Sequence, residues 1–125
     1  MFRFMTQKMH AYIDYPVALG LIVMPFVLGI GMTNAWAFAL SVFTGIAALV
    51  LTALTNHETG LMPVLPYKSH LAIDAIVGVT FVAAPFLFGF TGLDALYFWV
   101  LGATVLVVVG AHDADSTPTM IQPAE

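Results

Sequence analysis

A chain of 125 residues with 61% hydrophobic and 8% charged side chains cannot coat a soluble core with polar surface, since soluble domains carry about 25% charged residues. The net charge of −4, with Arg3, Lys8 and Lys68 as the fixed cations, offers no basic patch to a phosphate backbone and excludes nucleic acid as a partner. The absence of cysteine excludes disulfides, thiolate metal sites and a Cys nucleophile, and leaves His, Asp, Glu, Tyr, Ser and Thr to carry any chemistry.

The opening "MFRFMTQK" suits the membrane interface, with Phe2 and Phe4 in lipid. Read as the start of a signal peptide cleaved after "AWA" at Ala35–Ala37, it fails on Asp14, which interrupts the apolar region. It fails again because the same pattern returns in mid-chain. Four apolar runs follow, at 11–32, 34–55, 71–90 and 94–111, each near the roughly 17–25 residues that span a bilayer. The breaks "GMTN" and "FTGLD" are short enough to close two hairpins. The longer link "HETGLMPVLPYKS" joins them. All three cations precede the first run or lie in that link, so the positive-inside rule puts both termini in the cytoplasm.

The chain repeats itself. Residues 10–29 match 70–89 without gaps at seven of twenty positions: His10/His70, Ile13/Ile73, Asp14/Asp74, Val17/Val77, Pro25/Pro85, Phe26/Phe86 and Gly29/Gly89. Asn34/Asp94, Ala35/Ala95 and Phe38/Phe98 continue that register. The expected fold is an all-α membrane protein: four transmembrane helices forming a tandem parallel repeat of two hairpins about a pseudo-twofold axis along the membrane normal. Repeat 1 covers 10–57, the connection 58–69, repeat 2 70–112, and a flexible C-terminal tail 113–125. The tail, "ADSTPTMIQPAE" at its core, is small, polar and Pro-containing.

At Met24-Pro25-Phe26 and Ala84-Pro85-Phe86 the chain resembles the SPW-repeat family, small bacterial membrane proteins whose repeat carries Ser-Pro-Trp in the first of two transmembrane helices. The proline of the tripeptide is kept, and Phe stands in place of Trp. The resemblance implies a four-helix architecture in a bacterial inner membrane and supplies no activity.

Pro25 and Pro85 each remove a backbone hydrogen bond and are expected to kink their spans toward the non-cytoplasmic side. Gly29 and Gly89, one turn later, suit close helix approach or a helix end. Asp94 is placed to cap the fourth helix. Tyr12, Tyr15, Tyr67, Trp36, Tyr97 and Trp99 lie near span ends and read as an aromatic belt.

The polar residues gather at one end. Positions 10, 13, 14 and 17 share one side of a helix, as do 70, 73, 74 and 77. By helical rise His10 and His70 lie about 28 Å from the glycine at the far end of their spans, and His112 about 27 Å from Asp94. His57 lies about 34 Å from Asn34 and projects beyond them. His57-Glu58 and His112-Asp113 also read as ordinary polar residues at helix C-termini, where the dipole favours His.

His10, Asp14, His70, Asp74 and His112 are therefore the candidate ligands of a divalent transition metal such as Zn²⁺, Mn²⁺ or Fe²⁺. His10 and His70 are equally a candidate axial pair for haem iron. The same groups also suit a proton relay. Against all three stands a structural use, with Asp14 and Asp74 as N-caps of helices beginning at Tyr15 and Ala75.

No enzyme motif is present, and no polar stripe crosses the spans. Two functions remain. One is a structural or accessory component of a membrane assembly, with the bilayer, other membrane subunits or further copies of the chain as partners. The other is a metal- or haem-binding membrane protein that uses the His/Asp cluster for redox chemistry, sensing or ion handling.

Overall fold

A computed structural model of the chain describes residues 7–55 and 64–111. These form four helices: α1 (Gln7–Leu28), α2 (Ala35–Leu54), α3 (Tyr67–Phe88) and α4 (Gly92–Ala111). Each is long and apolar enough to cross a membrane. α1 packs on α2 and α3 on α4 as two hairpins, so the fold is the expected four-helix tandem repeat. His57, Glu58, His112, Asp113 and the C-terminal tail lie outside the described residues.

α1 and α3 begin at Gln7 and Tyr67, about one turn before the first apolar residue of each run. The turn carrying His and Asp is therefore already helical, because those side chains find partners inside the protein. This overturns the capping role: Asp14 and Asp74 sit in the second or third turn, too far in to accept the orphan N–H groups at a helix start.

The far ends of α1 and α3 are built alike. The N–H of Ile30 donates to the carbonyl of Pro25, and that of Phe90 to the carbonyl of Pro85, each at 3.0 Å. Gly29 and Gly89 adopt φ of 71° and 72°, the left-handed conformation such a closing bond requires and a side chain would strain. Ile30 and Phe90 then fold back into the core. The repeated Pro-x-x-x-Gly is thus a helix terminator, with each proline in the last turn of its helix.

Pro25 also lacks the N–H that would reach the Leu21 carbonyl. The Ser41 hydroxyl of α2 donates to that carbonyl instead, at 2.7 Å, restoring a bond that lipid could not supply. Having used its own hydrogen, Ser41 accepts from the Tyr97 hydroxyl of α4 at 2.6 Å, which ties the hairpins together inside the membrane. Tyr97 is buried, as is Tyr67. Neither is a belt anchor, whereas Tyr12 and Trp36 are more than 60% exposed and suit that role.

Asp94 does not cap α4. It lies in that helix's first turn, buried, and its carboxylate crosses to the other hairpin, accepting from the Gly31 N–H at 2.9 Å and the Thr33 hydroxyl at 3.2 Å. Asn34 adds a bond to the Phe88 carbonyl at 2.9 Å. Replacing Asp94 with Ala leaves the Gly31 N–H unsatisfied and should cost about 1–3 kcal/mol. Thermal unfolding in detergent should show a lowered Tm for Asp94→Ala, with most of the loss restored in Asp94→Asn, which keeps an acceptor oxygen.

The shared register breaks after the first helix of each repeat. α2 begins at Ala35 and α4 at Gly92, 57 residues apart rather than 60, because the second hairpin turn is three residues shorter. Gly45 and Gly102, also 57 apart, occupy the same place: each meets the backbone of its partner helix, at the carbonyl oxygens of Ala18 and Gly78. The expected pairs Asn34/Asp94 and Phe38/Phe98 are therefore not structural equivalents.

Candidate metal centre

The apolar core that joins the hairpins, including Phe81, Phe90 and Phe98, lies toward the end of the bundle that holds Pro25, Pro85 and Asp94. Toward the other end the hairpins border a partly open cavity of about 370 Å³, and its polar end is formed by four side chains. His10 and Asp14 come from successive turns of α1, and His70 and Asp74 from the matching turns of α3. A spacing of four residues aims each pair the same way, and the repeat axis brings the pairs face to face.

The four groups form a closed ring. His10 Nε2 lies 2.9 Å from Asp14 Oδ1 and 3.0 Å from Asp74 Oδ2. His70 Nε2 lies 3.4 Å from Asp14 Oδ2 and 3.3 Å from Asp74 Oδ2. Each carboxylate thus bridges both imidazoles. One ligand atom from each residue falls within 4.8 Å of all the others. Both histidines are almost fully buried, and Tyr67 packs its ring against both, at centroid distances of 5.9 and 6.1 Å.

Thr55, the C-cap of α2, fixes one proton of this ring. Its hydroxyl lies 2.6 Å from the Leu51 carbonyl and donates its single hydrogen there. The 2.7 Å contact with His70 Nδ1 must then take its hydrogen from the imidazole. With Nδ1 as donor, Nε2 turns toward two carboxylates and carries either a second proton or a lone pair. A lone pair aimed at two anions needs a cation between them. A ligand imidazole held through its other N–H is also the usual outer-shell arrangement at metals.

The spacings suit an ion. With metal–ligand bonds of about 2.0–2.1 Å, neighbouring donors lie about 3.3 Å apart in a tetrahedron and about 2.9 Å apart in an octahedron. The observed distances, 2.9 to 3.4 Å, cover that range. Of the five candidate ligands, the structure brings together His10, Asp14, His70 and Asp74, and His112 lies outside the described residues.

Thr55 carries no signal in the sequence, where it is one of three threonines in the second apolar run; aligning Gly45 with Gly102, at an offset of 57, shows only how α2 and α4 correspond. Comparison of the chain with family models, curated proteins and solved structures found no match.

Proposed function

We propose that this membrane-spanning helical protein binds one divalent transition-metal ion between its hairpins, through His10, Asp14, His70 and Asp74. The observation that carries this reading is the Thr55–His70 bond, which commits Nδ1 as a donor and presents Nε2 to two carboxylates. Two imidazole nitrogens and carboxylate oxygens suit Zn²⁺, Mn²⁺ or Fe²⁺. A haem is less well suited, because the bridging carboxylates take up the gap between His10 and His70 where a porphyrin would lie.

The wider setting we infer is a bacterial inner membrane with both termini cytoplasmic. The resemblance to SPW-repeat proteins and the positions of Arg3, Lys8 and Lys68 support it. In that setting the centre serves redox chemistry, sensing or ion handling, alone or with other membrane subunits or a second copy of the chain.

The alternative is a structural or accessory protein whose cluster only fastens the repeats. The 2.9 and 3.0 Å contacts of His10 favour it, since charge-assisted hydrogen bonds have that length.

The test is metal uptake by the full chain in mild detergent, read by metal analysis and by the visible spectrum with Co²⁺. The native chain is expected to take up one equivalent, and the His10→Ala, His70→Ala double variant none while keeping its helical circular dichroism. Thr55→Val should retain the ion with affinity lowered about 10–100-fold. Metal binding requires both imidazoles neutral, so affinity falls as pH falls, by up to about a hundredfold per unit once both are protonated. A native chain that takes up no ion at neutral pH would leave the fastener.

A further inference from the structure

The His/Asp cluster occupies only one end of the cavity. From the cluster the space runs along α1 as far as Leu21 and is walled by all four helices. Thr44, Ala47, Ala48, Leu51 and Thr52 of α2 line it. So do the α4 residues 57 positions on from each of these, from Leu101 to Val109. On α1 and α3, Ile13 and Val17 face their copies Ile73 and Val77 across it. The space is a feature of the repeat: both halves of the chain direct the same positions toward it.

The wall is aliphatic apart from threonines, and among the described residues its ionisable groups are the four of the cluster. Thr104 turns its hydroxyl to its own helix, bonding the Val100 carbonyl at 2.7 Å. A volume of about 370 Å³ lies within the range of small-molecule sites. An aliphatic wall of this kind gains dispersion contacts from an apolar occupant.

We propose that this cavity binds a neutral lipophile that directs a carbonyl or hydroxyl oxygen at the His/Asp centre. The inference rests on the metal reading for its polar end and on the cavity alone for its apolar end. Charge selects the head of the ligand. A divalent ion and, among the described residues, two carboxylates and two neutral imidazoles sum to zero, so an anionic head would bring an uncompensated charge into a low-dielectric site. A neutral oxygen fills an open coordination position as a donor without that penalty. Length selects the tail: from Asp14 to Leu21 is about 10 Å of helix, the reach of about eight methylene groups.

The probe is 2-undecanone, with undecane and undecanoate as controls, added to the full chain in lipid nanodiscs loaded with Co²⁺. The ketone is expected to shift the cobalt visible bands in a saturable way, and the two controls are not. Ala48→Phe fills the wall without touching the cluster and should keep its cobalt while weakening ketone binding at least tenfold. Ala47→Leu is the milder variant should the first fail to fold.

Cobalt-free protein separates the two readings. There a saturable rise in Tm with ketone, lost in Ala48→Phe, supports the apolar site even if no ion is ever taken up. Absence of that rise together with unchanged cobalt bands overturns the proposal. So does undecane binding as tightly as the ketone, which would make the cavity a berth for a lipid acyl chain only.

Discussion

Replacing both carboxylates of the ring, Asp14→Asn with Asp74→Asn, should lower affinity for Co²⁺ or Zn²⁺ by about a thousandfold or more, since even outer-shell changes cost 10–100-fold. The four helices should remain. Asn keeps the shape of Asp and keeps an oxygen acceptor, and its NH₂ donates to an imidazole lone pair. The His10–Asp14 and His70–Asp74 contacts therefore become neutral hydrogen bonds that need no cation. Because an ion stabilises the folded state by mass action, the native chain should gain about 4 kcal/mol at a thousand times its dissociation constant. The double variant, at about its own dissociation constant or below it under the same conditions, should gain no more than about 0.4 kcal/mol. Unfolding followed with and without a chelator measures both quantities. A variant that unfolds easily in either condition, beside a native chain indifferent to the chelator, would assign the ring to fastening alone, since a broken buried ion pair is itself costly.

Other evidence for the ring's role lies in how the repeat identities divide. Of the seven matched pairs, His10/His70, Ile13/Ile73, Asp14/Asp74 and Val17/Val77 line the cavity and its polar end. Pro25/Pro85 and Gly29/Gly89 close the helices. The remaining pair, Phe26 and Phe86, faces outward and is more than two-thirds exposed. Nearly everything the two halves share thus serves either to end a helix or to build the space between the hairpins. The outward faces, free of both tasks, have diverged.

The fold was legible because length and hydropathy dominate in a membrane: spans, hairpins and the two-by-two repeat follow from runs of apolar residues alone. The pairing of His10, Asp14, His70 and Asp74 was legible too, because a spacing of four on two repeated helices leaves little freedom. What periodicity hides is where a polar residue finds its partner. Asp94 reads as a cap until the other hairpin's turn is seen to supply the Gly31 N–H. Tyr97 reads as an anchor until Ser41, with its hydrogen already given to Leu21, becomes the acceptor for its hydroxyl. Thr55 has no sequence signal, and the matched lining of the cavity by α2 and α4 shows only at an offset of 57, which a gapless alignment at 60 conceals.

Gly102→Val should be the most damaging single change on the apolar side of the molecule. A Cβ at position 102 would lie 2.8 Å from the Gly78 carbonyl oxygen and 2.9 Å from the Val82 nitrogen, backbone atoms that cannot turn aside. α3 and α4 would have to part by several tenths of an ångström, and overpacking of this kind costs about 1–3 kcal/mol before the branched side chain is accommodated. Lipid offers no hydrophobic force to draw them back, because helix association in a bilayer depends on this close packing. Gly110 is the control: nothing lies within 4 Å of its Cβ position, so Gly110→Ala should be neutral or raise the Tm, by up to about 1 kcal/mol of helix propensity. Among the described residues, the four proposed ligands sit on α1 and α3 and Thr55 caps α2, and α4 contributes none. Gly102→Val should therefore lower the Tm far more than it lowers metal affinity in the protein that stays folded. Equal losses in both would mean that the α3–α4 contact sets the geometry of the ring itself.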